Sequence, residues 1–311
     1  MSDSKWTHAT CESIANRLAT LAEIRVSSGT VRRLLGEMGY SLKSNKKCLS
    51  AGNSPDRDIQ FKNIDQLRKK FSDAGDPIIS VDTKKKELIG LFKNNGRTWA
   101  KEAMKVKDHD FRTEAEGIAA PYGIYDVEKN FGTLVIGRSS DTPEFAVNCI
   151  VKWWFTHGQR QYSNSTQILI LADGGGSNGC RPRAWKLHLQ EQLSDKLGLI
   201  VTVAHYPTGA SKWNPIEHRM FSEISKTWQA EPLVSFDAVV KYAGSTKTKT
   251  GLAVEAYHDE QFYEKGLKVS DKDMKELAIT YNGPVEKWNY IISPRRHSIE
   301  SSQRKAIGGV A

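Results

Sequence analysis

The stretch that decides the fold is Gln167–Gly179, which reads Gln-Ile-Leu-Ile-Leu-Ala-Asp-Gly-Gly-Gly-Ser-Asn-Gly. Its uninterrupted apolar run predicts a strand buried on both faces, which is typical of a parallel sheet covered by helices. Asp173 follows that run directly, so its carboxylate is expected at the end of a rigid strand beside solvent. The glycines after it lack Cβ atoms and allow another backbone to come close.

Two more carboxylates occupy positions where an apolar run ends. Asp82 follows Ile78–Val81, and Glu217 ends the segment Trp213–Glu217, Trp-Asn-Pro-Ile-Glu. Three carboxylates that converge could hold a pair of divalent metal ions, and such a pair performs phosphoryl transfer. Their oxygen ligands suit hard ions such as Mg²⁺ or Mn²⁺.

Structural alternatives remain open for these residues. Asp82 could be a hairpin aspartate bound by nearby amides. Asn214, Pro215 and Glu217 fit the N-cap, first and third positions of a helix, so Glu217 could close a capping box. From the residues alone, neither alternative is excluded.

The pattern around these segments predicts an α/β fold. The predicted order is a hairpin, a third strand, a helix, a strand, a helix, a strand and a helix, at 78–81 with 88–92, 133–137, 143–157, 167–172, 182–197, 199–205 and 215–228. Residues 94–130 read as irregular, and 231–292 as a mixed extension. Apolar strands that alternate with helices indicate a mostly parallel sheet covered on both faces. This is the order of elements in ribonuclease H-like domains.

The N-terminal segment has helix-turn-helix-like spacing. Residues 11–40 predict two short helices, with Leu21, Leu34 and Met38 among their core residues and a serine cap, Ser27 or Ser28, on the second. Arg32 and Arg33 then lie on its outward face, where they could contact DNA. A plain helical hairpin is the alternative. The predicted division is 1–45 for this segment, 46–76 for a linker and charged helix, 77–292 for the main domain and 293–311 for a disordered tail.

The whole-chain composition narrows the class of protein. The 311 residues carry a net charge of +9 with a pI near 9.2, which points towards a polyanionic partner. Four cysteines without a C-x-x-C pair argue against a zinc module or a disulfide scaffold and suit a reducing cytoplasm. No apolar stretch suggests a membrane span or an export signal.

Basic and aromatic residues near the acidic segments are candidate DNA contacts. Those predicted to grip phosphate by charge, or a base by stacking, are Lys84, Lys85, Arg181, Arg183, Lys212, Trp213 and Asn214. His205 and His218 could approach the DNA at the position where it is cut. Gly174 and Gly179 have the spacing of a nucleotide-binding P-loop, but Cys180 and Arg181 stand where that motif needs Lys and Ser/Thr, so a P-loop is rejected.

The three acidic segments resemble the signature segments of the Rhodopirellula-type DDE transposases of bacterial insertion sequences. Those segments are Ile78–Glu87, Ala172–Gly179 and Ser211–Arg219, and the similarity extends from about residue 12 to 292. The resemblance implies a ribonuclease H-like catalytic domain with Asp82, Asp173 and Glu217 as its acidic triad. Relatives tend to carry more sequence ahead of the helix-turn-helix-like segment.

The resemblance also implies a reaction. Two Mg²⁺ (or Mn²⁺) ions are expected at the triad, one activating water and later a DNA 3′-hydroxyl, the other stabilising the leaving oxygen. Cleavage at an element end would precede joining to target DNA, with the protein acting on double-stranded DNA as a homo-oligomer. Two alternatives stay open: a shortened, inactive relative that represses its element by binding DNA, and a nuclease of RNA–DNA hybrids.

Overall fold

A computed structural model describes residues 7–43 and 56–295. The chain divides into two compact units, Met1–Ser50 and Ala51–Ala311. The first part of the predicted linker, residues 46–55, and the tail beyond residue 295 lie outside the described residues.

The first unit contains two helices, α1 (Cys11–Ala22) and α2 (Ser28–Glu37). Each begins at a hydroxyl cap: the Thr10 side chain accepts from the Ser13 amide, and Ser27, rather than Ser28, accepts from the Thr30 amide. Such caps satisfy amides that have no partner within the helix.

The core of this helix pair is smaller than the sequence predicts. Ala15 and Val31 are buried, whereas the predicted core residues Leu21, Leu34 and Met38 are exposed. Two helices of 12 and 10 residues share one narrow contact, which cannot cover a complete apolar stripe on each.

The second unit is a nine-stranded mixed sheet flanked by helices. Its strands are β1 (Ile78–Thr83), β2 (Glu87–Ile89), β3 (Gly117–Asp126), β4 (Phe131–Gly137), β5 (Gln167–Ala172), β6 (Ile200–His205), β7 (Ala253–Asp259), β8 (Ile279–Tyr281) and β9 (Asn289–Ile292). Its α-helices are α3 (Asp56–Ala74), α4 (Pro143–Trp153), α5 (Gln159–Gln161), α6 (Arg183–His188), α7 (Ser222–Thr227), α8 (Phe236–Gly244) and α9 (Asp271–Lys275). Wider π-helical turns, Trp154–Gly158, Leu189–Asp195 and Glu217–Phe221, join or extend these helices, and 3₁₀ turns occupy Arg112–Glu114, Ser211–Trp213 and Glu286–Trp288.

The strand order confirms the predicted ribonuclease H-like arrangement. The sheet runs β7-β4-β3-β1-β5-β6-β9-β8. Strands β1, β3 and β4 pair antiparallel, while β5 pairs parallel to β1 and β6 parallel to β5. The C-terminal ends of β1, β5 and β6 therefore meet at one edge of the sheet.

The predicted hairpin at 78–92 is wrong. Strands β1 and β2 both pair antiparallel with β3, β1 with its second half and β2 with its first, so β2 continues the line of β1. Strand β3 occupies part of the segment 94–130 that the sequence predicts to be irregular, and Pro121 and Gly123 interrupt its apolar pattern. Proline is tolerated there because Pro121 needs only its carbonyl, which accepts from the Lys84 amide.

Each face of the sheet has its own core. Ile79, Val81 and Ile170 face the cluster that includes α4, while Ile78 and Leu169 face the cluster that includes α3 and the helical stretch from Glu217. Alternation along the strands separates the two sets. This assigns a face to every residue at the strand ends.

The segments flanking the predicted main domain are attached to it. Helix α3, predicted as part of a linker region, buries Ile64 and Phe71 in the sheet core. At the other end, Arg295 forms an ion pair with Asp195 (2.6 Å), so the chain is held up to residue 295 and not only to 292. Among the described residues, no helix is long and apolar enough to cross a membrane.

Candidate active site

Asp82 and Asp173 lie side by side at the edge where the parallel strands end. Val81 is in register with Ala172, so the two aspartates occupy the next position on neighbouring strands, which are about 4.8 Å apart. Both continue the alternation of Ile78 and Leu169, and so project towards the face covered by the Glu217 helix. Strand pairing alone thus brings together two residues that are 91 positions apart (173 − 82).

Glu217 approaches from the first turn of that helix. Its amide donates to the Asn214 carbonyl (3.2 Å), and its neighbour Ile216 is fully buried against the sheet. The capping-box alternative is wrong, because the Asn214 amide donates to the Ser211 carbonyl (2.9 Å) rather than to Glu217, and the Asn214 carboxamide bonds Ser80 and Asp173. Among the described residues, the Glu217 carboxylate forms no hydrogen bond or ion pair.

The two aspartates line one cavity of about 690 Å³. Asp141, just before α4, lines it as well and accepts a hydrogen bond from the Thr83 hydroxyl (3.1 Å). Arg181 and the first glycines of the 174–179 loop also line this cavity. A sequence pattern gave no reason to select Asp141, since its only local cue is the following helix start.

Burial and neighbouring negative charge raise the pKa of Asp82 and of Asp173. Burial raises the pKa of Asp82 to about 8, with Asp173, Glu217 and Asp141 adding to the effect and the Thr83 amide opposing it. Burial and the charge of Glu217 also raise the pKa of Asp173, against the Asn214 hydrogen bond. Glu217 is therefore close enough to act electrostatically on both aspartates.

The donor set suits a hard divalent cation, since it consists of carboxylates whose charges repel one another. In the described part of the chain, however, no three His, Cys, Asp or Glu side chains form a group compact enough to hold a metal ion. The structure therefore brings the aspartates together and places Glu217 within electrostatic range. The meeting of all three around shared ions stays a prediction.

Asn214 holds the Asp173 side chain in place through a hydrogen bond. Its Nδ2 donates to Asp173 Oδ1 (3.1 Å), and its Oδ1 accepts from the Ser80 hydroxyl. Ser80 Oγ in turn accepts from the Ile216 amide (3.2 Å), which satisfies the helix start. Because Asn214 is completely buried, it cannot contact DNA as predicted, and it acts on Asp173 instead.

A second chain of hydrogen bonds fixes the Asp173 backbone. His205 Nδ1 lies 3.0 Å from the Asp173 carbonyl oxygen, and its Nε2 lies 3.2 Å from the Tyr290 hydroxyl. Trp185 Nε1 donates to that hydroxyl (2.8 Å). Because a carbonyl oxygen only accepts, Nδ1 carries the imidazole proton, and Nε2 of the neutral ring accepts from the Tyr290 hydroxyl. Burial lowers the pKa of His205 to about 4, which keeps the imidazole neutral. His205 is thus a buried support and not the DNA-approaching residue that was predicted.

The glycine loop is shaped by contacts within the protein. Gly176 has a φ of +78°, and a Cβ on Gly179 would meet the Gly175 backbone at 2.9 Å, so both positions require glycine. Asn178 Nδ2 donates to the Val81 carbonyl (3.3 Å) and ties the loop to the strand that carries Asp82. Only Gly175 faces open space, where another backbone could approach.

The chain matches the Rhodopirellula transposase DDE domain over residues 1–294. It belongs to this family. A comparison with curated proteins gives no match.

Several solved structures of Mos1 transposase are similar to this DDE family member. The Mos1 transposase paired-end complex with left transposon end shares 14% identity over 75% of this chain and 65% of that chain, with a TM-score of 0.45. The Mos1 mariner paired end complex with Mn shares 15% identity over 75% and 65%, with a TM-score of 0.43. The Mos1 paired end complex with Mg shares 11% over 78% and 73%, with a TM-score of 0.42. The match thus spans less than two thirds of the first two Mos1 chains.

Three predicted DNA contacts of the DDE family member are held by acidic neighbours instead. Lys84 is buried, pairs with Glu87 (3.2 Å) and lies 4.4 Å from the Trp228 ring, and burial lowers its pKa. Arg183 pairs with Asp271 at 2.6 Å. In the first unit, Arg33 pairs with its helix neighbour Glu37. Lys84 is the least available of the three for phosphate, because its ion pair is buried, whereas the ion pairs of Arg183 and Arg33 are exposed and therefore weak.

The remaining predicted contacts are accessible. Arg32, Lys85, Arg181 and Lys212 are exposed, and none forms an ion pair with the residues described. Trp213 is 45% exposed, but Arg57 and Lys212 lie 5.0 and 4.1 Å from its ring, which leaves less of its surface for a base. His218 is exposed and bonds the Lys212 carbonyl oxygen.

Proposed function

We propose that this DDE transposase family member cleaves DNA at the ends of an insertion sequence and joins those ends to target DNA, using divalent metal ions. The observation that carries the proposal is the pair Asp82 and Asp173 on adjacent strand ends, with the charge of Glu217 acting on both. Membership of the family supplies the reaction class.

The three carboxylates Asp82, Asp173 and Glu217 would hold two Mg²⁺ or Mn²⁺ ions. Such ions activate a water or hydroxyl nucleophile and stabilise the leaving oxygen of a phosphodiester. The chain's own part is to concentrate negative charge on a rigid edge. Because the pKa of Asp82 is about 8, cation binding at neutral pH must displace a proton from this carboxyl group.

Positioning residues would keep that edge in place. Asn214 orients the Asp173 side chain, and His205 holds its carbonyl. Catalytic groups need such support, because small displacements of reacting groups lower rates strongly. Arg181, exposed on the cavity wall, would contact a phosphate of double-stranded DNA. Joining two element ends would require at least two protomers on the DNA.

A cleavage and joining assay tests the proposal. Purified protein is incubated with Mg²⁺ or Mn²⁺ and a labelled element end, and both cut and joined products are measured. Asp173→Asn and Glu217→Gln keep the side-chain shape but remove charge, and each should abolish both products while DNA binding remains. Asp65→Asn, an exposed change on α3, is the matched control and should keep full activity. Metal-dependent cleavage that survives in Asp173→Asn would refute the assignment.

A DNA-binding repressor without catalysis is the second candidate. One observation favours it: in the part of the chain that the structure covers, the carboxylates do not form a compact metal-holding group. Binding of end DNA by the wild-type chain, with no nicking in either metal, would establish this function instead.

A further inference from the structure

A second, basic cavity adjoins the acidic edge. It encloses about 590 Å³ and lies beyond the end of β1, where the chain passes through Lys84–Glu87 into β2. Trp228, at the end of the helical stretch that begins near Glu217, forms part of its wall. The cavity is separate from the acidic one, since the two share no lining residue.

Charge in the basic cavity is strongly one-sided. Lys85, Lys86, Lys93 and Arg112 line it, are exposed, and form no ion pair with any described residue. Of the acidic lining residues, Glu87 is neutralised by Lys84. Asp110 is the other, so the free charges sum to +3.

Hydrogen bonds and close packing fix the wall of the cavity. Asn94 Nδ2 donates to the Glu231 carbonyl (2.6 Å), and the Ala230 amide donates to the Asn95 carbonyl (3.2 Å). A Cβ on Gly96 would meet Gln229 at 2.7 Å, and the φ of Gly96 is +110°, so the loop lies directly on the helix end. These contacts hold Lys93 in place relative to the Glu217 helix.

The distance to the acidic edge matches a short run of DNA. Lys85 is three residues beyond Asp82, or about 10 Å of extended chain. Trp228 is eleven residues beyond Glu217 (228 − 217), or about 16 Å of helix. Phosphates of one strand advance about 3.4 Å each along the duplex axis, so these distances span about three to five nucleotides.

We propose that the basic cavity binds the sugar-phosphate backbone of duplex DNA about three to five nucleotides from the scissile phosphate. This inference rests on the proposed function, because it assumes that the scissile phosphate lies at Asp82 and Asp173. It adds Lys86, Lys93 and Arg112 to the contacts and gives Lys84 a different part: with Glu87 and Trp228 it forms the neutral floor of the site.

Salt-dependent binding tests the proposal without needing catalysis. The double variant Lys93→Gln/Arg112→Gln is compared with the wild type on an end duplex that extends about ten base pairs to each side of the cut. Two lost phosphate contacts should lower the slope of log affinity against log salt by about 1.8, because each contributes about 0.9. The wild-type advantage should then shrink about twelvefold between 50 and 200 mM salt.

Controls separate the cavity from general charge. Lys70→Gln/Arg160→Gln makes the same charge change with exposed residues that line neither cavity, and should match the wild-type slope. On a duplex that extends only about two base pairs past the cut, the Lys93/Arg112 variant should also match the wild type, because the DNA cannot reach the cavity. A Lys93/Arg112 slope equal to that of the control on the long duplex would overturn the proposal.

Activity measurements then identify the source of the bound backbone. A defect of the Lys93/Arg112 variant in end cleavage indicates the element end and its flank, whereas a defect confined to joining indicates target DNA; each supports a backbone site. If the wild type binds DNA with the expected slope but cuts nothing, the proposed catalysis fails while the binding site stands.

Discussion

Replacing Asp82 by Asn removes a carboxylate whose ionisation the fold opposes. The pKa of Asp82 is raised from 3.8 to about 8, chiefly by burial and by Asp173. Between these values the folded protein binds more protons at this position than the unfolded chain does. The free energy of unfolding of the wild type therefore falls as pH rises from about 4 to about 8.

The size of the effect follows from the same shift. One pKa unit corresponds to about 1.4 kcal/mol. The Asn side chain resembles the protonated carboxyl group in shape, and unlike that group it stays neutral at every pH. The variant should therefore be more stable than the wild type by about 2 kcal/mol at pH 5 and about 5 kcal/mol at pH 8. At roughly 2–4 °C per kcal/mol, the gain at pH 8 corresponds to about 10–20 °C in Tm.

Thermal and urea unfolding in EDTA between pH 5 and 9 measures this difference. Asp65→Asn, which changes an exposed carboxylate on α3, should differ from the wild type by no more than about 0.5 kcal/mol at any pH. A stability difference for Asp82→Asn that does not grow with pH would refute the reasoning, as would a loss of stability at pH 8. The stabilised variant should have no metal-dependent cleavage activity.

Three further outcomes are expected. Asn214→Ala should lower the free energy of unfolding by about 2–3 kcal/mol in urea, because it leaves buried partners of the carboxamide unpaired. Tyr290→Phe should cost about 1–3 kcal/mol, because His205 Nε2 and Trp185 Nε1 lose their shared hydroxyl, and it should lower the cleavage rate more than DNA affinity. An unchanged cleavage rate in this variant would show that the chain of hydrogen bonds does not position the Asp173 backbone. Mn²⁺ affinity, measured calorimetrically, should rise up to tenfold per pH unit below about pH 8 and then level off, because binding displaces the Asp82 proton; a flat profile would contradict this.

Long, strongly patterned elements were predictable. The run at 167–172 became β5 without a change of boundary, and the helical stretches predicted to start at 143, 182 and 215 begin at Pro143, Arg183 and Glu217, within two residues of the prediction. Strand β3 was not predictable, because Pro121 and Gly123 break the pattern and the strand is stabilised by pairing with β1, β2 and β4. Local patterns report local preference, and pairing partners distant in sequence can override it.

Some residues of the candidate active site could be predicted from the sequence, and others could not. Asp82, Asp173 and Glu217 could be selected from the sequence, because each ends an apolar run. Asp141 and Tyr290 could not, since neither has a local pattern that distinguishes it. Lys84 shows the opposite error: a run of three lysines reads as a solvated basic tip, yet the first of them is buried beside Trp228.

The sequence by itself determined most of the strand and helix segments, the acidic residues at the ends of apolar runs and the family resemblance, because these features can be recognised from neighbouring residues. Only the tertiary structure decided which of those residues act together. Parallel pairing of β1 with β5 put Asp82 beside Asp173, and burial of Asn214 and His205 turned two expected surface contacts into supports. The physical reason is that burial, pKa and ion pairing depend on partners that lie far away along the chain.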